Sequence, residues 1–176
     1  MKLFWAAGFE GASVDRLVRA TGMPRASLYQ IHGDKEGLFL AAIDHYAATQ
    51  AAAVAAALGP RGSLHEDLGA FFAAVIDLAT CEPGARGCLI SCVLADAAGA
   101  NPRMRAELDR RFATLEARIR DRLASARPQA QDPIARAMVI AAIARGLMLR
   151  ARAGAPRDLL EKAASDTVHL LASAPR

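Results

Sequence analysis

Six side chains between Arg25 and Lys35 share one chemical capability: Arg25, Ser27, Tyr29, Gln30, His32 and Lys35 all carry hydrogen-bond donors. Donors packed this closely suit a polyanion with base edges to read better than they suit bond-breaking chemistry. The planar fork of Arg25 matches the paired acceptors of guanine. Ser27 and Gln30 can read further bases. Lys35 opens a helix, where its ammonium and the free backbone amides can hold a phosphate together.

The rest of the chain offers little for catalysis. No Ser/His/Asp ordering with a nucleophile elbow, no glycine-rich phosphate loop and no His-Glu metal motif occurs, and His32, His45, His65 and His169 are scattered. The chain is therefore expected not to be an enzyme and to need no cofactor. Cys88 and Cys92 lie four apart on an expected helix and share a face. With Cys81 or His65 they are weak candidates for a soft metal ion, against the plainer reading of small buried hydrophobes. Three cysteines cannot all pair within one chain, so a reducing compartment fits.

Phe71, Phe72, Val75, Phe112, Leu115, Ile119 and Met148 can line a small-molecule cavity or simply fill a core. Arg145 is more specific, being a cation inside an apolar helix. It is expected to pair with Asp77 or Glu116, or to meet an anionic ligand.

The elements that position the donors follow from periodicity and caps. Ser13 caps a helix carrying Val14, Leu17 and Val18 at helical spacing, and Thr21-Gly22 ends it. Pro24 sets the direction of a second helix over Arg25 to Ile31, with Leu28 and Ile31 expected to pack inward. Two short helices about a tight turn make a helix-turn-helix, whose second helix enters the DNA major groove. From Lys35 a single long helix is expected to about Leu58, with Leu38, Phe39, Ala42, Ile43 and Tyr46 on one face.

After the Gly59-Pro60-Arg61-Gly62 break, Ser63 and Glu66 form a capping box for a helix to about Thr80. Glu82-Pro83-Gly84 reads as a turn, and a helix follows from Gly87 to about Ala98. Asn101-Pro102 opens a long helix to about Ala126, with Leu108, Phe112, Leu115, Ile119 and Leu123 as its stripe and its arginines facing out. Pro128 ends that helix. Asp132-Pro133 opens the next, whose middle, Ala137 to Leu149, is apolar on nearly all sides, and a last helix spans about Arg157 to Ala172. No strand pattern or internal repeat occurs, so the fold class is all-α.

Gly22, the Arg25-Ala26-Ser27-Leu28-Tyr29 run, His32 and the Asp34-Lys35-Glu36 helix opening, with Phe4-Trp5 and Gly8-Phe9 upstream, resemble the TetR/AcrR family of bacterial regulators. The resemblance is close at the front of the chain and elsewhere extends only to the helical pattern. It implies a cytoplasmic homodimeric transcription factor, usually a repressor, that binds an inverted-repeat operator in double-stranded DNA and is released by a small-molecule effector. It also turns Tyr29 and His32 toward backbone phosphates. The expected division is a helix-turn-helix DNA-binding module at 1–46 and a helical effector-binding and dimerisation domain at 47–176.

The last two helices are expected to form the homodimer interface through Ala142, Gly146, Leu149, Leu160, Ala163, Thr167, Leu170 and Leu171. Small residues let helix axes approach, and a four-helix bundle on a twofold axis explains a helix without a polar face.

Two observations sit less easily with DNA binding. The net charge is +4, yet residues 1–58 hold Lys2, Arg16, Arg19, Arg25 and Lys35 against Glu10, Asp15, Asp34, Glu36 and Asp44, which cancel. The basic excess lies downstream, from Arg103 to Arg127. Met1 to Ala7 also makes only a short helix before Gly8, so the family's longer first helix and basic arm are expected to precede Met1. The neutral front fits a rival reading, a helical dimer that binds a small molecule or protein without DNA. The cysteines fit a second, a thiol- or metal-responsive variant of the same architecture. No apolar run approaches the ~18 residues of a membrane span, and Glu10 cuts short a signal-like start.

Overall fold

The computed structural model describes residues 1–82, 84–126 and 132–172, and among them the regular structure is helical throughout. The first helix, α1 (Lys2–Gly11), runs past the expected stop at Gly8 by kinking there, with the glycine at φ 77°. That backbone conformation is open to glycine at little cost. It lets Phe9 stack beside Phe4, 6.3 Å between ring centroids.

α2 (Val14–Thr21) begins at Ser13, whose side chain accepts from the Arg16 amide, and ends at Gly22 in the left-handed region, φ 68°. α3 (Arg25–His32) follows from Pro24 and buries Leu28. Ile31 does not pack inward as expected: it is 63% exposed. A helix of two turns touches its neighbours along one narrow line, and Leu28 occupies it.

α4 (Lys35–Ala48) is capped by Asp34, which accepts from the Gly37 amide at 2.6 Å. The expected single helix to Leu58 is broken after Ala48. The Thr49 hydroxyl donates back to the His45 carbonyl at 2.7 Å, and the Ala51 amide reaches to Tyr46, widening the turn by one residue. A separate short α5 (Ala52–Ala57) follows.

α6 (Leu64–Thr80) starts with the expected capping box of Ser63 and Glu66. The turn assigned to Glu82-Pro83-Gly84 lies partly outside the described residues, as does the break at Pro128. The helix expected from Gly87 begins instead as a π-helical segment (Leu89–Leu94) and becomes α-helical only in α7 (Ala95–Ala98). The widened turns bury three consecutive residues, Cys92, Val93 and Leu94.

α8 (Pro102–Ala126) is capped by Asn101, whose Oδ1 accepts from the amides of Arg103 and Met104. α9 (Pro133–Arg152) is capped by Asp132, and α10 (Arg157–Ala172) completes the described chain. Two of the α8 arginines do not face out: Arg111, with 14% of its side chain exposed, and Arg122. Arg122 is buried and bonds Asp67 of α6, and its Nη2 donates to the Gly62 carbonyl, tying the 59–62 loop between the two helices.

One apolar core runs through the molecule. Phe4 packs against Phe39 and Trp5 meets Tyr46 edge-on, at 4.9 and 5.1 Å between centroids, so α1 is pinned to α4. From there the core continues without interruption through α6, α8 and α9 to Val168 of α10. No helix among the described residues is long and apolar enough to cross a membrane.

Candidate nucleic-acid interface and cavity

The donors of the 25–35 segment fall into two groups. Arg25 and Gln30 are exposed on α3, while Ser27, Tyr29, His32 and Lys35 are half-buried. The Arg25 guanidinium sits 5.3 Å from the Tyr29 ring centroid, a cation–π contact that aligns two donors on one side of α3. Lys35 is held in place too: its ammonium lies 4.5 Å from the Phe9 ring and donates to the Glu10 carbonyl. Ile31, near the end of α3, is exposed as well.

The structure accounts for the neutral front. Arg103 of α8 lies 3.9 Å from both Asp34 and Glu36, and Arg110 and Arg111 both meet Asp44. Asn101 donates to Glu36 as well. The basic stretch of α8 thus neutralises the acids of α4. Among the described residues Arg19 and Arg25 make no ion pair.

Between α4, α5, α6, α8, α9 and the π-helical segment lies a cavity of about 450 Å³. Of the residues expected to line one, Val75, Phe112, Leu115, Arg145 and Met148 do. Phe71, Phe72 and Ile119 do not: Phe71 and Ile119 are packed in the core, and buried Phe72 borders a smaller, separate cavity of about 330 Å³ between α6 and α10. The alanines of α4 and α5, from Ala47 to Ala56, make the opposite wall, because short side chains leave the space that large ones fill.

Arg145 projects into this cavity. It pairs with Glu116 at 2.8 Å, not with Asp77, which Arg157 takes. Its guanidinium lies over Phe112, 3.6 Å from the ring centroid, and its Nε is buried with no acceptor.

The cysteines do not converge. Cys81 is exposed while Cys88 and Cys92 are buried, and no group of three or more His, Cys, Asp or Glu side chains among the described residues could hold a metal ion. Burial pushes the Cys81 and Cys92 thiols up from their ordinary value, which disfavours the thiolate a soft metal needs. Cys88 lines the cavity, and its sulfur accepts from the Tyr46 hydroxyl at 3.4 Å. Burial first, and the neighbouring Cys88 second, push the Tyr46 phenol far up, so it remains a donor.

The expected dimer residues divide as well. Ala142, Leu149, Ala163 and Leu170 are exposed on the protomer, and Gly146, Thr167 and Leu171 are half-buried. Leu160 is a correction: it is only 2% exposed and belongs to the protomer's own core, whereas its neighbour Leu159 is 47% exposed. Ile134, Met138 and Val139 extend the same apolar face along α9.

Comparison with known proteins gives this arrangement its class. The model of bacterial regulatory proteins of the tetR family matches residues 1–42, and that of the LmrA/YxaF-like transcriptional regulator C-terminal domain matches residues 65–166. The HTH-type transcriptional repressor ComR of Escherichia coli is 38% identical over 91 residues, which are 51% of this chain and 43% of ComR. A cysteine mutant of the TetR family regulator CifR, solved with 26-base-pair double-strand operator DNA, is 25% identical with a TM-score of 0.86, covering 98% of this chain and 92% of that one. A TetR regulator from Chloroflexus aurantiacus is 23% identical with a TM-score of 0.82, over 97% and 89% of the two chains. The chain belongs to the tetR family of bacterial regulatory proteins. It spans less than half the length of ComR, the relative it matches at 38% identity.

Proposed function

We propose that the protein is a repressor that binds an inverted-repeat operator in double-stranded DNA as a homodimer and is released by a small-molecule effector in the α4–α9 cavity. The observation that carries the reading is the α3 surface. There Arg25, Gln30 and Ile31 stand exposed beside the held donors of Tyr29 and Lys35, in a fold whose relative CifR is described as bound to operator DNA. Residues 1–46 are the DNA-binding module and 47–176 the effector and dimer domain. The apolar face of α9 and α10, from Ile134 through Leu149 to Leu159 and Leu170, supplies the interface between copies.

Two recognition helices dock together only if they stand about one DNA turn apart, ~34–36 Å or a multiple. The apolar packing of α1 and α4 on the body, together with the ion pairs from α8 to Asp34, Glu36 and Asp44, sets the angle of the DNA-binding module. The cavity lies alongside those pairs, with Asp44 and Arg111 among its lining residues. A ligand that shifts α4 there alters the separation of the two recognition helices.

A fluorescence anisotropy titration against DNA flanking the protein's own gene tests the reading. A specific complex with two protomers per site is expected. Failure of every flanking fragment to bind at micromolar protein would favour the helical dimer that acts without DNA.

A further inference from the structure

The cavity states what it lacks. Its body is apolar, made by Val75, Leu78, Leu115 and Met148 opposite the alanine wall, so the bulk of any occupant is hydrocarbon or aromatic. Its polar edge is cationic. Arg111, Arg118 and Arg145 all line it, and among the described residues Asp44 is its sole lining acid. Adding the residues bonded to that edge brings in Arg110, Glu107 and Glu116. Four arginines then stand against three carboxylates, which leaves one positive charge unmatched. Arg118 makes no ion pair among the described residues.

Arg145 shows where the missing charge belongs. Its guanidinium lies over the Phe112 ring, Glu116 takes Nη2, and the buried Nε has no acceptor. The Nε is closed to the cavity as to solvent, so a ligand acceptor meets the guanidinium at the part that lines the cavity. Two other buried nitrogens, of Trp5 and Arg86, also lack acceptors, but neither residue lines this cavity.

We propose that the cavity takes a small apolar molecule bearing one carboxylate, which meets the guanidinium of Arg145 among the arginines of the polar edge while the apolar body lies against the alanines of α4 and α5. This rests on the reading of the cavity as the effector site and names the class of effector.

The test compares 2-naphthoate and decanoate with their uncharged amides, 2-naphthamide and decanamide, by isothermal titration calorimetry, and follows operator release by anisotropy. At least one acid should bind tenfold or more tighter than its amide, and the preference should collapse in Arg145→Gln. Because that change leaves Glu116 without its partner, Arg118→Gln, at an exposed position, serves as the second variant and should shrink the preference while the circular dichroism stays unchanged. Acids that bind no better than amides, that do not bind at millimolar concentration, or that keep their preference in both variants would overturn the proposal. Equal binding of acid and amide, both releasing DNA, would sink the anionic class and leave the effector site standing. An acid preference that depends on Arg145 but leaves the operator complex intact would uphold the class and sink the effector reading.

Discussion

Arg122 of α8 donates from Nε to the Asp67 carboxylate of α6 at 2.7 Å, with 7% and 4% of the two side chains exposed. The pair closes a small polar network: Asp67 also accepts from the Arg61 amide, and Arg122 donates to the Gly62 carbonyl. Burial pushes the Asp67 carboxyl up, but the Arg122 guanidinium and the Arg61 and Gly62 amides push harder and hold it below its ordinary value. Removing one member of a buried pair strands the other, so Arg122→Met should lower the melting temperature more than Arg120→Ala, which breaks an exposed pair with Asp121. The pH dependence has a definite sign. A carboxyl that ionises more readily folded than unfolded contributes its stability above the unfolded value, about 3.9 for Asp, and loses it as pH falls through the lower folded value. Melting temperatures should therefore hold from pH 7 to 5 and drop below about pH 4, with a shallower drop in Asp67→Asn. Parallel curves for the two proteins would show that Asp67 does not carry the effect.

Arg25 is exposed at the start of α3 with its guanidinium steered by the Tyr29 ring. Arg25→Ala should weaken specific operator binding by about 1–3 kcal/mol and relax the preference at one base pair. The residue touches no core, so the circular dichroism spectrum and melting temperature should not change. Anisotropy against the operator and its single-base variants makes the measurement, and unchanged affinity would move base reading to Gln30.

What was legible in the sequence was mostly local. The caps at Ser13, Ser63, Asn101 and Asp132 and the left-handed turn at Gly22 depend on residues within a few positions, and all form as expected. Packing direction was harder. Arg122 lies three residues past Ile119 and seven past Leu115, on the apolar stripe, so its burial was readable but masked by the many arginines around it. Leu159 and Leu160 are adjacent leucines on one amphipathic helix. Nothing in their types says which one packs into the protomer and which one stays exposed. Large apolar side chains look the same in sequence whether they line a cavity or fill a core: Phe71 and Ile119 fill space, and the alanines of α4 and α5 leave the cavity open.

That division of the two leucines makes a contrast that can be measured. Leu159→Glu places a charge on the exposed apolar face of α10 and should yield well-folded monomers by light scattering. Leu160→Glu places the same charge in the protomer core and should lose helicity instead. A Leu159→Glu protein that remains dimeric at micromolar concentration would remove this face from the interface.

The last prediction concerns Asp44, which receives both Arg110 and Arg111 from α8 and is 66% exposed. Exposed pairs of this kind contribute only about 0–1 kcal/mol each, so Asp44→Asn should hardly change the melting temperature. Its consequence is geometric. Without the pairs, α4 keeps its ties to α8 through Asn101 and Arg103 near its start, and the module keeps its apolar packing on the body. The far end of α4 loses its polar link to α8, however, and its angle is held less tightly. Ordering that angle on DNA then costs binding energy. A penalty of about 1 kcal/mol corresponds to roughly a fivefold loss of operator affinity. The variant should also respond less to any ligand whose action is to pull α4 from α8, since that link is already cut. Anisotropy titrations with and without ligand give both numbers from one experiment. Wild-type affinity together with a full ligand response in Asp44→Asn would place the coupling elsewhere than the α4–α8 ion pairs.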